Sequence, residues 1–147
     1  MSKKDSRVTL QIRNPTYRNS LSEFLHEISV QCGEGDWVFR GQGADGWPTP
    51  RIARGLLAKT NPAKVERALL DEFLQKIPSI YSREISTDWE ALAIMQHYGG
   101  MTRLLDWTRN PLVAAWFALN TYLSVPKKER SSSGPVVWAV LVRSDEW

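Results

Sequence analysis

The chain has 147 residues, 42% of them hydrophobic, and 19 Lys and Arg against 16 Asp and Glu, the composition of an ordinary globular domain with a core of its own. A single cysteine, Cys32, excludes an internal disulfide and a cysteine-rich zinc cluster, and two histidines, His26 and His97, leave little material for a structural metal site. The apolar runs, of which 111–119 is among the longest, fall far short of the roughly 20 residues that span a bilayer. The basic N-terminus lacks the apolar core of a secretory signal, so a cytoplasmic protein with no membrane partner is expected.

Residues 1–20 carry five basic groups and one acidic, whereas residues 21–125 carry ten basic and twelve acidic. Residues 1–19 therefore read as a flexible basic arm, and 20–147 as a single domain. Because the positive excess sits in the arm and not on a folded face, it does not indicate a nucleic-acid partner. Ser20-Leu21-Ser22-Glu23 fits a capping box ahead of Leu21, Phe24, Leu25 and Ile28, which predicts a helix over 21–31 that Gly33 and Gly35 end. Trp37-Val38-Phe39-Arg40 reads as a short strand breaking into a loop at Gly41-Gln42-Gly43. A long ordered loop is expected through Trp47-Pro48-Thr49-Pro50, and loops of that length tend to be functional.

Pro62 opens a second helix in which Val65, Leu69, Phe73 and Ile77 mark the apolar face, and Pro78 stops it. Thr87-Asp88-Trp89-Glu90 is a second capping box, predicting a helix over 88–98 that closes at Gly99-Gly100. Residues 103–107 read as a buried strand. Asn110-Pro111 supplies an N-cap and a first-turn proline for a helix to about residue 123. A polar loop over 126–134 leads into Val136–Val142, apolar on both faces and expected to be central in a sheet. The fold class that follows is α+β, a small central sheet of a few strands with about four helices. The last strand ends five residues before Trp147, so either a strand is misread or the domain is C-terminally incomplete.

Three clusters carry possible chemistry. Arg40, at a strand end beside two glycines, suits an anion or phosphate clamp, since the glycines let a ligand come close. The competing reading, which composition favours, is that Arg40 pairs with Asp106 and the glycines make a turn. Gln96-His97-Tyr98 ends a helix, where His97 can act as a base or can cap terminal carbonyls. With no acid or nucleophile spaced to complete a triad, capping is the stronger reading. In Thr102-Arg103-Leu104-Leu105-Asp106-Trp107-Thr108 the two charges face opposite ways on a strand, and each needs its own partner if buried. Arg40 and Asp106 are expected side by side, and His97 and Arg103 are expected to be structural.

Phe39-Arg40-Gly41, Gln96-His97-Tyr98-Gly99, the run 102–108, Asn110-Pro111 and Ala114-x-x-Phe117-Ala118 together resemble the bacterial FRG domain, named for its Phe-Arg-Gly motif. Met101 departs from the proline that members often carry before the Thr-Arg-Leu-Leu-Asp-Trp-Thr run. The resemblance names a family and does not by itself name an activity. A looser layout, a strand arginine and glycine followed by a second strand, the Ala-x-x-Phe-Ala helix and an apolar strand, is similar to the ADP-ribosyltransferase superfamily. That likeness implies NAD as cofactor, with Arg40 clamping phosphate, Gly41 and Gly43 allowing close approach, Thr108 bonding the cofactor, and Tyr98 or Trp107 stacking on a ring. Asp106 and Trp107 replace the usual hydroxyl-rich element, and no catalytic glutamate is identifiable, Glu146 being the only one after the last strand. No metal is implied. Three functions remain open: a nucleotide-binding, ADP-ribosyltransferase-like domain in a bacterial defence or toxin setting, a non-catalytic interaction or regulatory module with a protein partner, and a nucleic-acid-associated role.

Overall fold

The structure is a computed structural model that describes residues 20–54, 61–77 and 81–142. The N-terminal arm, Pro78 and Glu146 lie outside the described residues. The elements are α1 (Leu21–Gln31), β1 (Asp36–Gln42), α2 (Pro62–Lys76), α3 (Asp88–His97), α4 (Pro111–Ser124) and β2 (Val136–Val142), with short 3-10 turns at Arg51–Ala53 and Lys127–Glu129. This is a small α+β fold, and the chain forms two compact units: one from residues up to Gly46 and from Asp106 onward, the other from Trp47–Leu105.

In the first unit, Ser20 caps α1 by accepting a hydrogen bond from the Glu23 amide. β1 and β2 pair antiparallel over seven residues, from Asp36 opposite Val142 to Gln42 opposite Val136. Two sequence expectations change here. Gly41 and Gln42 continue the strand instead of breaking it. β2, expected to be central, has β1 as its one neighbour among the described residues. β1 holds the middle, because Phe39 also exchanges both backbone hydrogen bonds with Thr108, at 2.7 and 2.9 Å.

α4 begins as its residues dictate: the Asn110 side chain accepts from the Leu112 amide at 2.9 Å, and Pro111, whose missing N–H would be unsatisfied in any case, occupies the first turn. Its buried residues, Ala114 and Ala118, are small and one turn apart. This lets the helix backbone lie directly on β1. A Cβ placed on Gly41 would sit 1.9 Å from the Ala114 carbonyl oxygen and 2.6 Å from the Ala118 nitrogen; one on Gly43 would sit 2.8 Å from the Tyr122 nitrogen. Gly41 at the end of β1 and Gly43 just beyond it both meet the backbone of α4, so they form a continuous slot along which the helix runs.

The second unit is built on α2 and α3. Asn61 caps α2 by accepting from the Ala63 amide, and Thr87 caps α3 by accepting from the Glu90 amide. Glu90 in turn accepts from Ser86, and Gly99, at φ +85°, closes α3 in the left-handed conformation that glycine adopts without strain. Leu70, Ala91, Leu92 and Met95 form the core, with Leu69, Phe73, Leu74, Ile85 and Leu104 packed around them. The expected Val65-Leu69-Phe73-Ile77 stripe faces inward, with Ile77 buried and the other three half-buried, and the buried line widens by one residue to take in Glu66 and Leu70. That line tolerates an acid because both Glu66 carboxylate oxygens accept hydrogen bonds from Arg103.

The strand expected over 103–107 does not form. Only Thr108 joins the sheet, through the Phe39 bridge. Side chains take the backbone donors that a ladder would need: Glu66 accepts from the Arg103 amide and Thr102 Oγ1 accepts from the Leu104 amide at 3.2 Å. Arg103 and Asp106 are exposed, so the segment is not buried either.

Candidate functional site

Arg40 stands on β1 directly opposite Trp138 of β2, on the face away from α4, since Phe39 and Gly41 take the face toward it. Its guanidinium donates a 2.7 Å hydrogen bond from Nη1 to the Asp106 backbone carbonyl. The expected neighbourhood of Arg40 and Asp106 is therefore present, with the main chain of Asp106 as the acceptor. That bond and the Phe39–Thr108 bridge hold the segment entering α4 against β1 at two consecutive strand positions. Thr108 Oγ1 accepts from the Asn110 amide at 3.1 Å, which shapes the turn just before the helix. Trp107 is half-buried beside it in sequence.

The close approach expected at Gly41 and Gly43 is made by α4 itself. Of the residues assigned to a cofactor site, Arg40, Gly41, Gly43, Trp107 and Thr108 belong to the first unit, and Tyr98 to the second. Tyr98 is exposed, with its ring tilted against Phe73 at 6.5 Å between centroids and edge-on to His97 at 5.7 Å. His97 is exposed at the end of α3. The expected capping role falls instead to backbone: the amides of Gly99 and Gly100 bond the carbonyls of Gln96 and Met95 at 2.9 and 2.8 Å. We expect His97→Ala to change stability by no more than about 0.5 kcal/mol, read as an unaltered thermal midpoint.

The second unit holds a cluster that sequence reasoning missed. Glu66, only 4% exposed, accepts from both the amide and the Nε of Arg103, the latter at 2.8 Å. Thr102, also buried, donates its hydroxyl to Gln96 Oε1. These bonds pin the start of the Thr-Arg-Leu-Leu-Asp-Trp-Thr run to α2 and α3. The overlooked signal was the position of Glu66, one turn before Leu70 on the buried line, where an acid requires donors. The structural role expected of Arg103 is what its bonds describe. Elsewhere on α2, a hydrogen bond and the positive charge of Lys76 hold the Glu72 carboxyl below its ordinary value on the exposed surface.

Among the described residues, no three His, Cys, Asp or Glu side chains are grouped to hold a metal ion, and no helix is long and apolar enough to cross a membrane. Of the motif residues, Arg40, Gly41 and Thr108 thus tie β1 to α4 and the segment before it in a small α+β fold. A family model, the FRG domain, matches residues 35–126, and the chain belongs to that family. No curated protein and no solved structure matches it.

Proposed function

We propose that this FRG domain is a non-catalytic interaction module whose family-defining residues hold its fold, in keeping with a regulatory role such as bacterial defence. The observation that carries the reading is the seat of α4. Gly41 is spent on the Ala114 and Ala118 backbone, Arg40 bonds the Asp106 carbonyl, and Thr108 bridges Phe39. An arginine, a glycine and a hydroxyl residue that would clamp a dinucleotide in the cofactor reading each have a specific structural task. The slot beside the two glycines is filled by helix. α4 in turn bears no charged residue and carries large apolar side chains on its exposed side, a composition suited to contact with another apolar surface.

One observation favours a second reading, NAD held by an ADP-ribosyltransferase-like domain. Arg40 and Trp138 are cross-strand neighbours away from α4, so a guanidinium and an indole lie together as phosphate and ring recognition would require. In that reading Thr108 bonds the cofactor and Trp107 stacks on a ring. Calorimetric titration of NAD to millimolar concentration into the folded protein separates the two. The interaction module gives no binding heat; a saturable heat establishes the nucleotide site.

A further inference from the structure

Leu112, Trp116, Leu119 and Leu123 follow one another along α4 at intervals of four, three and four residues, the spacing of a coiled-coil seam. They are 44%, 58%, 50% and 58% exposed. At about 100° per residue they lie on the side of the helix opposite Ala114, Ala118 and Thr121, the residues that meet Gly41 and Gly43. The helix is thus amphipathic in an unusual sense: small residues face its own sheet, and the large apolar ones face outward. Trp116 is held in place by an edge-on contact with Phe117, with ring centroids 5.0 Å apart.

We infer that this seam is a self-association surface and that its occupant is the same seam of a second copy of the chain. This deepens the interaction reading and rests on it. Two arguments favour a second copy. First, a seam apolar at all four positions fits another of the same pattern, and a two-fold axis across it lets each residue meet an equivalent partner. The absence of charge from 111 to 124 means that no like-charge pair opposes this, and offers nothing to a charged partner. Second, these four side chains together with Val113 and Phe117, 38% and 52% exposed beside them, present on the order of 500 Å² per copy, or about 1,000 Å² in total, the size at which a specific interface begins. The inference predicts association in the micromolar range, with Trp116 as the anchor of the seam.

Sedimentation of the full chain across about 1–200 μM is the test. The mass should rise from 16.8 kDa toward twice that value. Trp116→Glu combined with Leu119→Glu, both at exposed positions, should keep the helical circular dichroism and stay monomeric throughout. If that pair does not fold, Leu123→Glu near the helix end should weaken association at least tenfold. A wild-type chain monomeric at the highest concentration overturns the inference and leaves the seam to a different partner. Association indifferent to these charges overturns it as well. Either result leaves the interaction module itself standing, whereas saturable NAD heat removes that reading whatever the sedimentation shows.

Discussion

Gly41→Ala should cost the domain about 3 kcal/mol or more and lower its thermal midpoint by about 10 °C, or prevent folding altogether. The added methyl would lie 1.9 Å from the Ala114 carbonyl oxygen, 2.6 Å from the Ala118 nitrogen and 2.9 Å from the Ala114 carbonyl carbon. All three are main-chain atoms of α4, so no side chain can swing aside. Relief requires the helix to lift from β1 along its length, and that exposes Phe39, Ala114 and Ala118, each at most 3% accessible. Overpacking against flexible side chains is commonly absorbed at smaller cost. At Gly46, where an added Cβ meets nothing within 4 Å, the penalty comes only from the backbone, at φ +135°. Thermal melts of the two variants separate the contributions of space and of conformation, and the seat of α4 requires Gly41→Ala to be much the worse.

The second large effect is expected at Glu66 and Arg103. Arg103→Ala leaves the Glu66 carboxylate, 4% exposed, with the Arg103 amide as its one remaining donor of the pair, and should destabilise the domain by about 3 kcal/mol. Glu66→Leu should cost less, about 1–2 kcal/mol, because the Arg103 side chain is 53% exposed and can turn to water. The lost term there is the acceptor for the Arg103 amide. The double variant removes the buried charge together with its partner, so its cost should approach that of Glu66→Leu alone and fall well short of the two single costs combined. Denaturant unfolding of the four proteins measures this coupling. Additive costs would mean that Glu66 and Arg103 do not act as a pair.

The local signals in the sequence were strong where capping chemistry and the helical period agreed. α1, α2, α3 and α4 begin at Ser20, Asn61-Pro62, Thr87 and Asn110-Pro111, where side chains bond first-turn amides. β2 was legible from its β-branched run. Less legible were features that depend on what lies across space. The apolarity of β2 suggested a central strand, yet β1 is the middle one, because Thr108 bridges to Phe39 from 69 positions along the chain. The run 103–107 reads as a buried strand, but Glu66, 37 residues away, takes the Arg103 amide. Gly41 and Gly43 fit either a turn or an opening for a ligand, since a sequence shows that something comes close without showing what. The alanines at 114 and 118 were the complementary signal, two small residues one turn apart on a helix that otherwise carries large ones.

The account turns on what Arg40 holds. The Arg40 Nη1 that donates to the Asp106 carbonyl at 2.7 Å keeps the segment before α4 against β1, and the ammonium of a lysine, on a shorter side chain, reproduces that reach poorly. The direct measurement is the thermal midpoint of Arg40→Lys beside NAD calorimetry on the same variant and on the wild-type chain. The account predicts a lower midpoint, corresponding to about 2 kcal/mol, with no NAD heat from either protein. An unchanged midpoint together with NAD binding that the wild type shows and Arg40→Lys loses would contradict it, and would make Arg40 a ligand clamp.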